Sequence, residues 1–152
     1  MRKELDEALV KDFPLTFQRD ANGREPWSMF GFEVGDGWEP SIRKTAEKLE
    51  PLVKAAIEKD PEGYEGGYYR TTQLKEKYGT GRWYVSGTDE MYALVEAWES
   101  ETENICEECG QPGKLRGKMW YYTRCYKHTK PEDRDNLEIV EDAYEKKEKE
   151  NG

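Results

Sequence analysis

All three cysteines and the only histidine of this 152-residue chain stand close together, in the order Cys106-x2-Cys109-x15-Cys125-x2-His128. Two short-spaced pairs separated by 15–20 residues suit two knuckles that close on one tetrahedral ion. Three thiolates and an imidazole match Zn²⁺ in softness and charge. A disulfide framework would leave one cysteine over, and no oxyanion motif accompanies Cys125 and His128 as a nucleophilic pair. Four protein ligands also leave no open position for water, which makes the expected zinc structural rather than catalytic.

The rest of the chain is short of ordinary core material. Leu, Ile, Val and Phe together number 23, charged residues make up 38%, and the net charge is −9. Alone, that balance falls on the disordered side of the compositional boundary. Five Trp and ten Tyr oppose it, since each aromatic ring buries a large apolar area. The expectation is a small folded body built on Trp and Tyr and stapled by the metal.

Charge divides the chain into three parts. Residues 1–103 sum to −8 and read as the body, 104–128 sum to +3 and form the zinc-binding module packed on it, and 129–152 sum to −4 as an acidic tail. No run of 18 apolar residues is present, so no membrane-spanning helix is expected. The N-terminus lacks the apolar core of a signal peptide, and a cytoplasmic setting is expected.

Within the body, residues 2–13 predict a short helix with Leu5, Leu9 and Val10 on one face, stopped by Pro14. Ala21-Asn22-Gly23 reads as a turn, and the stretch from Trp27 to Trp38 as a short strand or packed irregular segment. Ile42, Ala46, Leu49, Val53, Ala56 and Ile57 recur at helical spacing over 39–60, with Pro51 expected to kink or split the helix. Gly63 to Gly67 reads as a loop.

Residues 68–77 and 82–86 predict two strands joined by the Tyr78-Gly79-Thr80-Gly81 turn. Thr88 is a suitable N-cap for a second helix carrying Met91, Leu94, Val95 and Trp98. The tail after Pro131 is expected to be a solvated helix with a thin stripe of Leu137, Val140, Ala143 and Tyr144. The fold class is therefore α+β. A small antiparallel sheet packs with two main helices, joined by a zinc-ribbon-like module and a charged C-terminal segment.

With its thiols and imidazole assigned to metal, the chain keeps no residue in a recognisable catalytic motif. It has no P-loop, no dinucleotide fingerprint and no nucleophile elbow, so it reads as a binder rather than an enzyme. Lys75, Lys77, Arg82 and Tyr84 set cations beside aromatics around the hairpin, as a nucleotide-type small ligand would need, with Asp36 and Trp38 as further candidates. The bland alternative is a hairpin whose aromatics fill the core while its charges face water. Lys114, Arg116, Lys118, Arg124 and Lys127 lie near Trp120, Tyr121 and Tyr122, the composition of a nucleic-acid-binding ribbon. The acidic body argues against binding along a duplex.

Phe30-Gly31-Phe32, Gly35-Asp36-Gly37-Trp38, Lys75-Glu76-Lys77-Tyr78-Gly79, Arg82-Trp83-Tyr84-Val85, Cys106-Glu107-Glu108-Cys109-Gly110-Gln111-Pro112-Gly113 and Cys125-x2-His128 follow one another in this order. The order resembles a family of small uncharacterised proteins encoded by tailed phages and prophages, over residues 27–128. In its hairpin turn this chain has Thr80 and Gly81 where the family has a second glycine and a leucine. The resemblance implies a phage origin and the same zinc site, and it brings no activity with it. An accessory protein of the infected or lysogenic bacterial cytoplasm follows, with a host protein, including a defence component, as the expected partner.

Overall fold

The computed structural model describes residues 1–18 and 27–134. The expected turn at 21–23 and the stripe beyond residue 134 lie outside them. The described residues form an α+β fold with two small sheets. None of their helices is long and apolar enough to cross a membrane.

The first helix, α1 (Lys3–Asp12), buries Leu9 and ends where the Phe13 N–H donates to the Leu9 carbonyl. The next turn is held by one side chain of the long second helix. Both carboxylate oxygens of Glu50 are used, Oε1 on the Leu15 N–H and Oε2 on the Thr16 N–H and hydroxyl.

Strand β1 is only Phe32–Glu33. It lies parallel to β2 (Arg70–Lys77), which pairs antiparallel with β3 (Thr80–Ser86) to give the order β1-β2-β3. The sheet is thus one strand wider than the hairpin alone. A 3-10 turn over Asp36–Trp38 leads into α2 (Glu39–Lys59), and a short helix α3 (Pro61–Glu65) stands where a loop was expected. Asp60 caps α3 by accepting from the Gly63 N–H, and Pro61 fits its first turn, which is a helix-start signal in five residues.

α2 runs through Pro51 without a break. The proline sits on the exposed side while Leu49 and Val53 are buried. The carbonyl it frees therefore faces water, and the apolar face on either side keeps the helix whole.

The β2–β3 turn has two residues, not four. Lys77 pairs with Thr80 across it, and Tyr78 and Gly79 both take positive φ, 54° and 87°. Two left-handed residues are what a tight hairpin needs to match the strand twist. Gly81, expected in the turn, is instead a buried strand residue, and a Cβ there would come within 2.5 Å of the Trp98 ring.

Helix α4 (Asp89–Thr102) is capped by Thr88 and packs on β3 and α2 with Met91, Val95 and Trp98 buried. In the core Trp98 meets both Trp38 and Trp83 edge-to-face, at 5.9 and 5.4 Å, and Phe17 stacks on Trp83 at 5.6 Å. Each buried indole N–H has an acceptor: Trp38 the Ile105 carbonyl, Trp83 the Thr71 hydroxyl and Trp98 the Ser41 hydroxyl. Large rings thus replace the missing aliphatics without leaving an orphaned donor. Removing the central ring by Trp98→Ala should cost about 3–5 kcal/mol, measured by urea unfolding, because the two neighbouring indoles cannot close the gap.

Candidate metal centre

After α4 the chain makes its first knuckle. The Cys106 N–H donates to the Gln111 carbonyl and the Gly110 N–H returns to the Cys106 carbonyl, at 2.7 and 2.9 Å, so Cys106 and Cys109 project to one side of a tight loop. Strands β4 (Lys114–Arg116) and β5 (Tyr122–Arg124) form the expected antiparallel hairpin. The second knuckle follows β5, closed by the Thr129 hydroxyl on the Cys125 carbonyl at 2.7 Å, and a last short helix, α5 (Pro131–Arg134), follows it.

The two knuckles bring Cys106, Cys109, Cys125 and His128 together, with their ligand atoms all within 4.8 Å of one another, close enough to hold one metal ion. Cys109 Sγ is 3.8 Å from Cys125 Sγ, and His128 Nδ1 lies 3.7 and 3.2 Å from the sulfurs of Cys106 and Cys125. The imidazole therefore aims Nδ1 inward. Its Nε2 faces out, 3.8 Å from Glu108 Oε2, and the same carboxylate meets Arg124 at 3.4 Å.

Cys106 and Cys125 are buried, whereas Cys109 is exposed. Burial pushes the Cys125 thiol up to about 12 and raises that of Cys109 as well. Loading an ion must therefore displace protons from these sulfurs.

The knuckle is seated on the body by the Gly35-Asp36-Gly37-Trp38 segment. Gly37 N–H donates to the Glu107 carbonyl at 2.7 Å, Gly35 N–H to the Glu107 carboxylate at 2.8 Å, and the Trp38 indole to the Ile105 carbonyl at 2.8 Å. Burial raises the Glu107 carboxyl above its ordinary range, while the Gly35 bond pulls it down. A Cβ on Gly37 would sit 2.2 Å from the Cys106 carbonyl, so only glycine allows this approach. On the opposite side the Thr123 hydroxyl donates to the Gly79 carbonyl, which ties β5 to the β2–β3 turn.

Gly35 and Gly37 belong to the stretch from Trp27 to Trp38 that the sequence marks as a short strand or packed irregular segment. The seat they make was signalled by a Gly-x-Gly before a tryptophan, but its partner lies some seventy positions away and no local pattern names it. Asp36 itself accepts from the backbone N–H and the side chain of Arg2, at 2.7 and 2.8 Å.

The six residues considered for a small ligand do not converge. Lys75, Lys77, Arg82 and Tyr84 share the side of the sheet away from Leu74 and Trp83. Trp38 is fully buried in the core, and Asp36 stands near the metal cluster. Of the basic residues in the hairpin, Arg116 is buried and donates to the Arg124 carbonyl, and Arg124 pairs with Glu108. Lys114, Lys118 and Lys127 have no ion pair among the described residues, in which Lys118 and Lys127 are exposed.

No protein-family model, curated protein or solved structure matches this chain.

Because Gly37 touches the knuckle but no ligand atom, it separates docking from coordination. Gly37→Ala should destabilise the chain by about 1–3 kcal/mol in urea unfolding, the usual cost of overpacking. Gly66→Ala, whose Cβ meets nothing nearer than 3.4 Å, should leave the midpoint within about 0.5 kcal/mol.

Proposed function

We propose that this chain is a zinc-stabilised accessory protein that acts by binding rather than by catalysis. The observation that carries the reading is the Cys3His cluster, which engages every thiol and the only imidazole of the sequence. Its dimensions suit zinc. Zn–S bonds of about 2.3 Å set two sulfurs about 3.8 Å apart on a tetrahedron, and Zn–N bonds of about 2.0 Å set nitrogen and sulfur about 3.5 Å apart. Among the pairs here, Cys109 and Cys125 sulfurs are 3.8 Å apart and His128 Nδ1 is 3.2 and 3.7 Å from two sulfurs, with no pair of ligand atoms beyond 4.8 Å.

Four protein ligands complete the shell of the ion, so its role is to hold structure. The structure it holds is a hairpin of two three-residue strands, too short to persist alone in water. The resemblance of the motif order to that of tailed-phage proteins supports a phage origin and a setting in the cytoplasm of an infected or lysogenic bacterium. Its partner there is a host component met through the exposed surface of the body and hairpin.

Metal analysis of the purified chain should find about one zinc per chain, as one four-ligand site requires. Stripping it with a chelator should lower the melting temperature by more than about 10 °C, because the binding energy is folding energy. Cys125→Ser should reproduce that loss with no chelator present. A melting temperature unmoved by chelation would falsify the structural role.

A further inference from the structure

The open face of the three-stranded sheet has an unusual electrostatic make-up for an acidic chain. Lys75 stands directly opposite Arg82, so two cations meet across strands, an arrangement that is destabilising unless something neutralises it. Among the described residues neither Lys75 nor Lys77 has an ion pair, although the chain holds 33 acidic residues. Glu33 is the acidic neighbour of Lys75 in register; it forms no ion pair with it, and one of its carboxylate oxygens accepts from the Gln73 amide. Glu76 is likewise engaged by the Gly79 N–H. Arg82 donates only to the Thr80 hydroxyl and the Gly81 carbonyl, so its charge is not neutralised.

Aromatic rings flank these cations. Tyr84 is 43% exposed at one end of the face, and Tyr78 is 71% exposed at the turn, with Lys77 Nζ 5.5 Å from the centre of its ring. Past the turn a cleft of about 410 Å³ opens against the tip of the β4–β5 hairpin, lined by Glu76, Lys77, Tyr78, Met119, Trp120 and Tyr121, with Trp120 74% exposed. Trp38, Trp83 and Trp98 are buried, so the exposure of Trp120 is not a shortage of core positions. From Tyr84 to the turn the face runs roughly 13 Å along β3, at about 3.3 Å per residue.

We propose that this strip, from Tyr84 over Lys75 and Lys77 to Tyr78 and Trp120, binds a short stretch of single-stranded nucleic acid. Exposed rings stack on bases of any sequence, and cations between them meet the phosphates. The inference rests on the reading that the chain acts by binding and names its partner. A duplex is excluded by the same charge that favours a strand. It is rigid and would lay its backbone against the acidic body, whereas a single strand can follow the strip alone. An acidic peptide could meet the lysines but offers few flat faces for the three rings. DNA and RNA share the chemistry, and the test separates them.

The zinc-loaded full chain is titrated into fluorescein-labelled dT12, rU12 and a 12-base-pair duplex at about 50 mM salt, with binding read by anisotropy. Both single strands, or one of them, should bind at least tenfold more tightly than the duplex, and unlabelled dT12 or rU12 should quench the exposed part of the tryptophan emission. Raising salt to about 200 mM should weaken binding by about sevenfold to eighteenfold, as two to three phosphate contacts predict. Trp120→Ala should lose about fivefold to a hundredfold in affinity, the range of one stacked base, and Lys75→Glu should weaken binding and flatten its salt dependence.

Trp120 is exposed, so Trp120→Ala should leave zinc content and melting temperature unchanged. If neither strand binds, if the duplex binds equally, or if Trp120→Ala binds like the parent, the proposal is overturned. It is overturned equally if poly-Glu competes as well as dT12, which would point to an acidic protein segment, or if sedimentation shows a dimer that Trp120→Ala dissolves. Failure of these arms with chelation still lowering the melting temperature removes the nucleic-acid partner alone. Failure of chelation removes the zinc reading whatever the strands do.

Discussion

The Trp38 indole reaching the Ile105 carbonyl, with the Gly37 amide on the Glu107 carbonyl beside it, joins the two halves of this molecule. Trp38 stands in the middle of the aromatic core, edge-on to Trp98, and Ile105 immediately precedes the first metal ligand. One side chain thus fills the core and fixes where the knuckle sits. Neither half is well provided alone. The body lacks aliphatics, and the metal module has two very short strands and little apolar interior of its own. Their junction buries Cys106 and Cys125 completely, so an ion held there would lie against the body and its binding energy would stabilise both.

A metal staple and a tryptophan core answer the same deficit by different physics. Rings supply area and edge-to-face geometry, but an indole buries an N–H with it and each needs an acceptor at a fixed place. The acceptors come from distant positions, Ser41 for Trp98 and Thr71 for Trp83, so the core is specified by polar pairs as much as by packing. Thr102 shows the same economy, since its hydroxyl accepts from Gly81 while donating to Glu99. Such a core tolerates few substitutions, but it needs few residues.

Local pattern carried much of this into view. The ligand spacing named all four members of the cluster, helical periodicity located α2 and α4, and Thr88 marked the start of α4. What stayed hidden was settled at long range. Pro51 should interrupt a helix by its own chemistry, and the buried faces around it override that. Thr80-Gly81 looks like turn sequence, yet Gly81 is held in the strand because Trp98 occupies the space its side chain would need. Asp36 and Trp38 are neighbours in sequence and cannot share one ligand, because one belongs to the surface salt bridge with Arg2 and the other to the core.

The distribution of charge then acquires a physical sense that net charge conceals. Where the chain needs cations for its own structure, they are paired or buried: Arg43 lies between Glu39 and Asp12, Arg124 against Glu108, and Arg116 inside the hairpin. Arg43 is held still more firmly protonated by its two carboxylates. The lysines of the open sheet face are treated differently. Lys75 stands in register with Arg82 on one side and Glu33 on the other, and Lys77 lies beside the exposed Tyr78 ring. At position 75 the two neighbouring strands ask for opposite charges, Arg82 on β3 for an acid and Glu33 on β1 for a base. The lysine answers Glu33 and leaves Arg82 without a carboxylate among the described residues, and that open charge is what the proposed strip would offer a phosphate.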